Sequence, residues 1–140
     1  MKSSLKWING VKFEATSGSG HSVIMDGAPE AGGENAGSRP MELILMGLSG
    51  CSTFDVVQVL KKSRADFDDV RVEVSAERAE ETPAVFTKIH LEFIVTGKNL
   101  NEKLVRRAIK LSAEKYCSAS IMLERGGVDI THSLTIVEAE

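Results

Sequence analysis

The stretch that decides the fold is residues 40–64, PMELILMGLSGCSTFDVVQVLKKSR. Proline is favoured in the first turn of a helix, and an acidic side chain at Glu42 suits the positive end of the helix dipole. From Leu43 to Leu60 the stretch is apolar on almost every face, with Asp55 as its one charged residue. It therefore predicts a long helix that is buried on most sides, inside a domain or between two chains.

Two glycines stand in the interior of this predicted helix, Gly47 and Gly50. Each costs about 1 kcal/mol relative to alanine in such a position. The simplest reason to keep them is that another backbone approaches closely at that point, just before Cys51.

Strands are predicted on both sides of the helix. Residues 1–25 predict three short strands in an antiparallel meander, because Asn9-Gly10 is a strong hairpin signal and a second turn follows at 17–20. Residues 26–39 hold almost no large apolar side chain, which predicts a flexible loop. Beyond the helix, residues 69–80 and 86–96 alternate apolar and polar side chains, as strands with one wet face do.

The remaining elements complete an α+β order. Asn99 and Glu102 form a predicted capping box for a second helical segment over 99–124. Its main helix is expected to end near Tyr116, with Cys117 at or just beyond that end and a further helical turn or two after it. A last strand is predicted over 128–138. The order βββ-α-ββ-α-β indicates an α+β fold with mostly antiparallel strands in a single domain, residues 1–140. The first helix is too apolar for the surface of a small monomer, so we infer a homodimer with intertwined sheets.

Composition narrows the function classes. The net charge of −3 comes with no basic stripe, which argues against binding to nucleic acid or to an anionic membrane. The N-terminus has no signal-peptide core, and no apolar run is expected to reach the roughly 18 residues that span a bilayer. These features predict a soluble, cytoplasmic protein. His21, His90 and His132 match no metal motif, so we expect ordinary strand histidines and no metal site.

The chemistry is expected at the two cysteines of the chain, Cys51 and Cys117. A stable structural disulfide is rare in the cytoplasm, so a cysteine pair there is more often catalytic, redox-sensing or metal-binding. Two cysteines alone do not fill a zinc site. The alternative is that both are small apolar side chains in the core, where free cysteine is common.

The settings of both cysteines resemble one family. Pro40-Met41-Glu42-Leu43, followed by Gly47 and Ser49-Gly50-Cys51, resembles the first helix of the OsmC/Ohr family, the osmotically inducible protein C and organic hydroperoxide resistance proteins. That motif places cysteine eleven positions after proline, as here. Ala113-Glu114-Lys115-Tyr116-Cys117-Ser118 resembles the second motif of the family. The resemblance covers essentially the whole chain and is closest to the less characterised, YhfA-like branch.

The resemblance implies an OsmC-like fold in which sheets of both chains wrap two central helices of an intertwined homodimer, with active sites at the subunit interface. It also implies a thiol peroxidase of oxidative-stress defence. Cys51 would attack an organic hydroperoxide and become a sulfenic acid. Cys117 would resolve it to a disulfide, which a dithiol reductant resets without any cofactor or metal.

An attacking thiolate needs positive charge or hydrogen bonds around it, and a pocket that selects organic peroxides needs apolar walls. The candidate supporting groups are Arg39 and Glu42. The candidate pocket residues are Met41, Met46, Leu48 and Phe54.

The chain departs from the family pattern at three positions. Met41 stands where the peroxidase branches carry glutamate, with Glu42 one place later. Arg39 is the only arginine before the first helix, and Ser118 replaces a common proline. Met41 favours a second hypothesis, a non-catalytic redox sensor or small-molecule binding protein on the same scaffold. A purely structural role for both thiols is the third.

Overall fold

The computed structural model describes residues 1–140. The chain divides into two compact units, Met1–Met46 and Gly47–Glu140, with the boundary inside the first helix. The prediction that residues 1–140 form one domain stays a prediction.

The first unit contains a three-stranded antiparallel meander. Its strands are β1 (Ser3–Asn9), β2 (Lys12–Ser17) and β3 (Ser22–Met25), in the order β1-β2-β3. Gly10, at a φ of +50°, closes the first turn in a backbone conformation that glycine adopts without penalty. The side chains of Leu5 and Trp7 on β1 are exposed, so this sheet leaves apolar surface uncovered.

The loop over residues 26–39 is hydrogen-bonded at its base to Asp26, and its flexibility stays a prediction. The buried carboxylate of Asp26 accepts hydrogen bonds from the backbone N–H groups of Gly27, Glu34 and Ala36 at 2.7, 3.0 and 3.1 Å. Burial alone would raise the pKa of Asp26, but these N–H donors and the charge of Lys12 leave it below its ordinary value of 3.8. One carboxylate thus joins three backbone amides of the loop.

Helix α1 spans Pro40–Lys62. At its start the carbonyl of Arg39 accepts the N–H of Leu43 at 3.1 Å, and the Glu42 carboxylate accepts the N–H of Arg39 at 2.7 Å. Glu42 therefore makes one half of a capping box. The residues that α1 buries lie four apart on one stripe: Leu48, Ser52, Val56 and Leu60.

Within the single chain α1 is buried along one stripe only, and its burial between two chains stays a prediction. Ile44, Met46 and Phe54 keep 43%, 54% and 65% of their surface exposed. No atom lies within 4 Å of a Cβ built at Gly47 or Gly50, so the close backbone approach expected there does not occur within one chain. Helix α1 therefore has apolar side chains that no other part of the same chain buries.

The expectation that no apolar run is long enough to span a bilayer is also wrong. Helix α1 meets that criterion by length and composition. The core helix of a soluble protein meets the same criterion, so the finding is weak evidence for a membrane span.

The second unit is built on a mixed sheet. Strands β4 (Phe67–Arg78) and β5 (Phe86–Gly97) pair antiparallel, whereas β6 (Asp129–Glu138) pairs with β5 in parallel. Phe86 at the start of β5 is buried, and from Ile89 onward every second residue is buried: Ile89, Leu91, Phe93 and Val95. The α+β class with mostly antiparallel strands is confirmed, and the one parallel pairing requires the helical crossover between β5 and β6.

That crossover is not one continuous helix over 99–124. It consists of α2 (Glu102–Leu111), a π turn (Ser112–Tyr116) and α3 (Ser118–Arg125). The chain breaks at Cys117, which is extended at φ −77° and ψ 101°. The Cys117 N–H bonds the carbonyl of Ser112 at 2.8 Å, which closes the π turn. The break turns Cys117 into the first capping residue of a new helix.

The cap of α2 differs from the predicted one as well. Asn101 caps the helix, because its side chain accepts the N–H of Leu104 at 3.3 Å. Asn99 has a φ of +50° and lies outside the helix, where its N–H bonds the carboxylate of Glu138 at 3.0 Å.

Candidate functional site

Cys51 lies in the middle of α1 as a half-buried free thiol. The next residue, Ser52, is on the buried stripe of the same helix, so the two side chains point in different directions around the helix axis. Cys51 is thus partly open to solvent, while its neighbour faces the interior of the second unit.

Cys117 is completely buried and is also a free thiol. Its sulfur accepts the N–H of Ser120 at 3.3 Å, so Cys117 is the N-cap of α3. The hydroxyl of Ser52 lies 3.3 Å from the same sulfur and completes a hydrogen bond between α1 and α3. The break in the crossover helix therefore brings the second cysteine against the first helix.

Opposing influences act on the Cys117 thiol. Burial raises its pKa above the ordinary value of 9.0, because the thiolate loses hydration. The hydrogen bonds of Ser52 and the Ser120 N–H lower the pKa, and the neighbouring Cys51 thiol raises it. The net shift is upward, so Cys117 is protonated at neutral pH. The hydrogen bond to Ser52 places the residue that follows Cys51 in the chain 3.3 Å from the Cys117 sulfur.

Ser112 links α1 to the π turn. Its hydroxyl shares one proton between a carboxylate oxygen of Asp55 at 2.8 Å and the carbonyl oxygen of Ser52 at 3.2 Å, and the shorter contact is to Asp55. Ser112 is itself buried, and its carbonyl accepts the Cys117 N–H. One residue therefore connects the segment that carries Ser52 with the turn that carries Cys117.

The Ser120 hydroxyl lies beside this cluster. It is fully buried and has no hydrogen-bond partner, although the N–H of the same residue bonds Cys117. Buried hydroxyls are normally satisfied, so this one is an unused polar group next to the thiol.

The predicted supporting groups are occupied within the first unit. The Arg39 guanidinium donates to the side-chain oxygen of Asn35 at 2.8 Å and to the carbonyl of Gly37 at 3.3 Å. The Glu42 carboxylate accepts the Arg39 N–H at the start of α1. Both side chains thus stabilise the loop and the helix start.

The predicted pocket residues have different surroundings. Leu48 is fully buried in the core and has no surface to offer a substrate, whereas Met41 is half-buried and Met46 is exposed. Phe54 lines a surface groove of the second unit. The other residues of this groove are Asp55, Gln58, Val59, Lys62, Ser63, Leu111 and Tyr116.

Sequence reasoning missed Ser52, Ser112 and Ser120 as parts of the site. One signal was present: Asp55 is the single charge in an apolar helix segment, and such a group needs a buried partner. That partner, Ser112, is far away in sequence and gives no local signal.

No group of three or more histidine, cysteine, aspartate or glutamate residues is placed to hold a metal ion. Of the three histidines, His90 uses both ring nitrogens on the hydroxyls of Thr131 and Ser133, at 2.6 and 2.8 Å.

Fold and site together define a class: α+β proteins in which one thiol on a long apolar helix adjoins a second thiol at a helix N-terminus. The family profile described as OsmC-like protein matches residues 32–133. Protein YhfA of Escherichia coli (strain K12) is 49% identical over 139 residues, which cover 99% of this chain and 100% of that protein. The chain belongs to the OsmC-like protein family, and the sequence-based identification is confirmed.

Solved structures agree on the fold. A hypothetical protein from Aquifex aeolicus VF5 superimposes with a TM-score of 0.86 at 27% identity, covering 99% of this chain and 97% of that one. The organic hydroperoxide resistance protein OsmC from Legionella pneumophila superimposes with a TM-score of 0.69 at 18% identity, covering 96% and 97%. The second similarity shows the fold alone.

Proposed function

We propose that this protein is a thiol-dependent peroxidase that reduces organic hydroperoxides in the cytoplasm, as part of oxidative-stress defence. The observation that carries the proposal is the asymmetry of the thiol pair. Cys51 is half-exposed and reachable by a substrate, whereas Cys117 beside it is sealed and hydrogen-bonded. An attacking thiol must be accessible, and a resolving thiol must be near it.

The proposed cycle has three steps. The Cys51 thiolate attacks the O–O bond of the hydroperoxide, so an S–O bond forms, the O–O bond breaks, and the alcohol leaves with a proton. The Cys117 sulfur then attacks the Cys51 sulfenic acid, which yields a disulfide and water. A dithiol reductant returns both cysteines to thiols and is itself oxidised to a disulfide. No metal or organic cofactor takes part.

The protein is further proposed to act as an intertwined homodimer with the active sites at the subunit interface. The exposed apolar side chains of Ile44, Met46 and Phe54 on α1 support this proposal, as does the open space at Gly47 and Gly50. A second copy of the chain would cover apolar surface that one chain leaves in water. Light scattering after size-exclusion chromatography should give twice the chain mass.

Replacement of each cysteine tests the cycle. In a coupled assay with cumene hydroperoxide and a dithiol, we expect Cys51→Ser to abolish peroxide consumption. Cys117→Ser should oxidise once and accumulate a sulfenic acid that a dimedone-type reagent traps. Ser118→Ala, an exposed change next to Cys117, serves as the matched control. Undiminished turnover by Cys51→Ser would rule out the proposed mechanism.

A redox sensor is the second candidate, and the hydrogen bonds of Arg39 and Glu42 favour it. Both groups are engaged in the loop and the helix start, and a slow, stoichiometric response needs no dedicated activating charge. Titration with hydroperoxide in the presence of a dithiol separates the two functions. A sensor consumes about one equivalent per chain and then stops, whereas a peroxidase continues until the peroxide is exhausted.

A further inference from the structure

We propose that the Ser52 hydroxyl activates Cys117 as the resolving nucleophile by hydrogen-bonding its sulfur, and that Ser112 and Asp55 position it there. The proposal deepens the peroxidase function and rests on it for the role of Cys117. Ser52 is adjacent to the attacking cysteine in sequence but contacts the resolving one in space.

The chemistry of the buried thiol requires such a partner. To attack the sulfenic acid on Cys51, the Cys117 sulfur must lose its proton in a place with no exposed surface. The backbone N–H of Ser120 only donates, and it already bonds the sulfur. When Cys117 is a thiol, the Ser52 hydroxyl oxygen accepts a hydrogen bond from its S–H group. When Cys117 is a thiolate, the Ser52 hydroxyl donates a hydrogen bond to the sulfur.

The resolving step balances with this partner in place. The S–S bond forms as the S–O bond of the Cys51 sulfenic acid breaks. The Cys117 sulfur is oxidised, the Cys51 sulfur is reduced, and the proton of Cys117 ends on the departing hydroxide as water. The role of Ser52 is to stabilise the negative charge on the Cys117 sulfur during the attack.

The positioning of Ser52 comes from Ser112. The Ser112 hydroxyl shares its proton between the Asp55 carboxylate and the carbonyl of Ser52, and the Ser112 carbonyl accepts the Cys117 N–H. Ser112 thus contacts both partners of the Ser52–Cys117 hydrogen bond: its hydroxyl contacts the Ser52 backbone, and its carbonyl contacts the Cys117 backbone. It is a positioning residue, since it does not touch either sulfur through a hydrogen bond.

Few charged or titratable groups face Cys117. On α1, the titratable group that acts on Cys117 is Cys51. Asp55, also on α1, is hydrogen-bonded to the Ser112 hydroxyl. The π turn and α3 contribute Ser112 and the Ser120 N–H, which do not titrate near neutral pH. The pH dependence of the resolving step therefore reports on Cys117 once the first step is measured separately.

The experiment compares Ser52→Thr with Ser52→Val, which have the same shape and differ in the hydroxyl. Reduced protein is mixed with the aromatic disulfide dithiobis(nitrobenzoate), which releases one coloured thiolate when Cys51 reacts and a second when Cys117 resolves the mixed disulfide. Ser52→Ala provides a smaller second variant without a hydroxyl. Thr53→Ser, on the next helix position, is the matched control.

We expect the first release to be unchanged in all variants. The second release should be about tenfold slower at neutral pH in Ser52→Val and Ser52→Ala, a difference of about 1.4 kcal/mol. Its pH profile should move to higher pH, because the thiolate has lost a stabilising donor. Ser52→Thr should restore the rate. With cumene hydroperoxide, the valine variant should accumulate trapped sulfenic acid and over-oxidised Cys51.

Equal second-step rates in the threonine and valine variants, with the same pH profile, would overturn the role of Ser52. That result would leave the peroxidase function standing. If instead the wild type fails to consume hydroperoxide, the peroxidase function fails. The aromatic disulfide still measures the resolving step in that case, so the two failures are distinguishable.

Discussion

Replacing Ser112 by alanine should weaken the whole cysteine site and the stability of the second unit. The change affects a residue that is only 2% exposed and removes the hydroxyl that donates to the Asp55 carboxylate at 2.8 Å. A hydrogen bond to a charged group contributes about 1.5–3 kcal/mol, and the half-buried Asp55 regains part of its hydration when the bond is lost. The free energy of unfolding should therefore fall by about 2 kcal/mol.

Urea unfolding of the reduced protein, followed by circular dichroism, measures this change. With a denaturant slope of about 2 kcal/mol per molar urea, the midpoint should drop by about 1 M at an unchanged slope. Ser118→Ala is the control, because its side chain is exposed at the start of α3 and should change the free energy of unfolding by less than about 0.5 kcal/mol.

A double-mutant cycle separates the hydrogen bond from other effects. If the Ser112–Asp55 bond is the source, Ser112→Ala should cost much less in an Asp55→Ala background, with a coupling of about 1 kcal/mol or more. The reasoning is refuted if Ser112→Ala stays within about 0.5 kcal/mol of the wild type. It is also refuted if the same cost appears in both backgrounds.

Two further predictions concern the second unit. Asn101→Ala should lower the free energy of unfolding by about 1 kcal/mol in urea titrations, because the N-cap bond to the Leu104 N–H is lost, while the exposed Lys103→Ala should have little effect. Burial, with a smaller effect of nearby His90, lowers the pKa of His132 below its ordinary value of 6.5, so the unfolded chain takes up the proton first. The stability that His132 contributes is therefore present above about pH 6.5 and lost as the pH falls below it. A His132→Leu variant should lose this pH dependence in urea titrations, and an unchanged dependence would contradict the assignment.

Much of the local structure followed from the sequence. The apolar run after Pro40 predicted α1, and the alternation of apolar residues in 86–96 predicted β5, because both periodicities are properties of neighbouring residues. The motifs around Cys51 and Cys117 led to the family, which the profile match and the YhfA relative confirm.

What the sequence missed in the helical crossover and at α1 depends on contacts between residues that are far apart in the chain. In the helical segment over 99–124 the sequence placed Cys117 at or just beyond a helix end, but it did not show that Cys117 is extended and caps a new helix. Helix propensity does not report the π turn, which is held by the hydrogen bond from the Cys117 N–H to Ser112 and by the bond from Ser112 to Asp55. Similarly, composition alone indicated that the apolar surface of α1 must be buried. It did not show how little of that surface is buried by residues of the same chain.

Residue order alone made the two cysteines the candidates for chemistry, because the chain offers few others, and local motifs place each on a helix or at its end. Only the tertiary structure shows that Cys117 is completely buried, that its sulfur is hydrogen-bonded to Ser52, and that Ser112 and Asp55 link the two segments. These contacts join residues about 60 positions apart. Their energy comes from burial and from hydrogen-bond geometry, which exist only after the chain has folded.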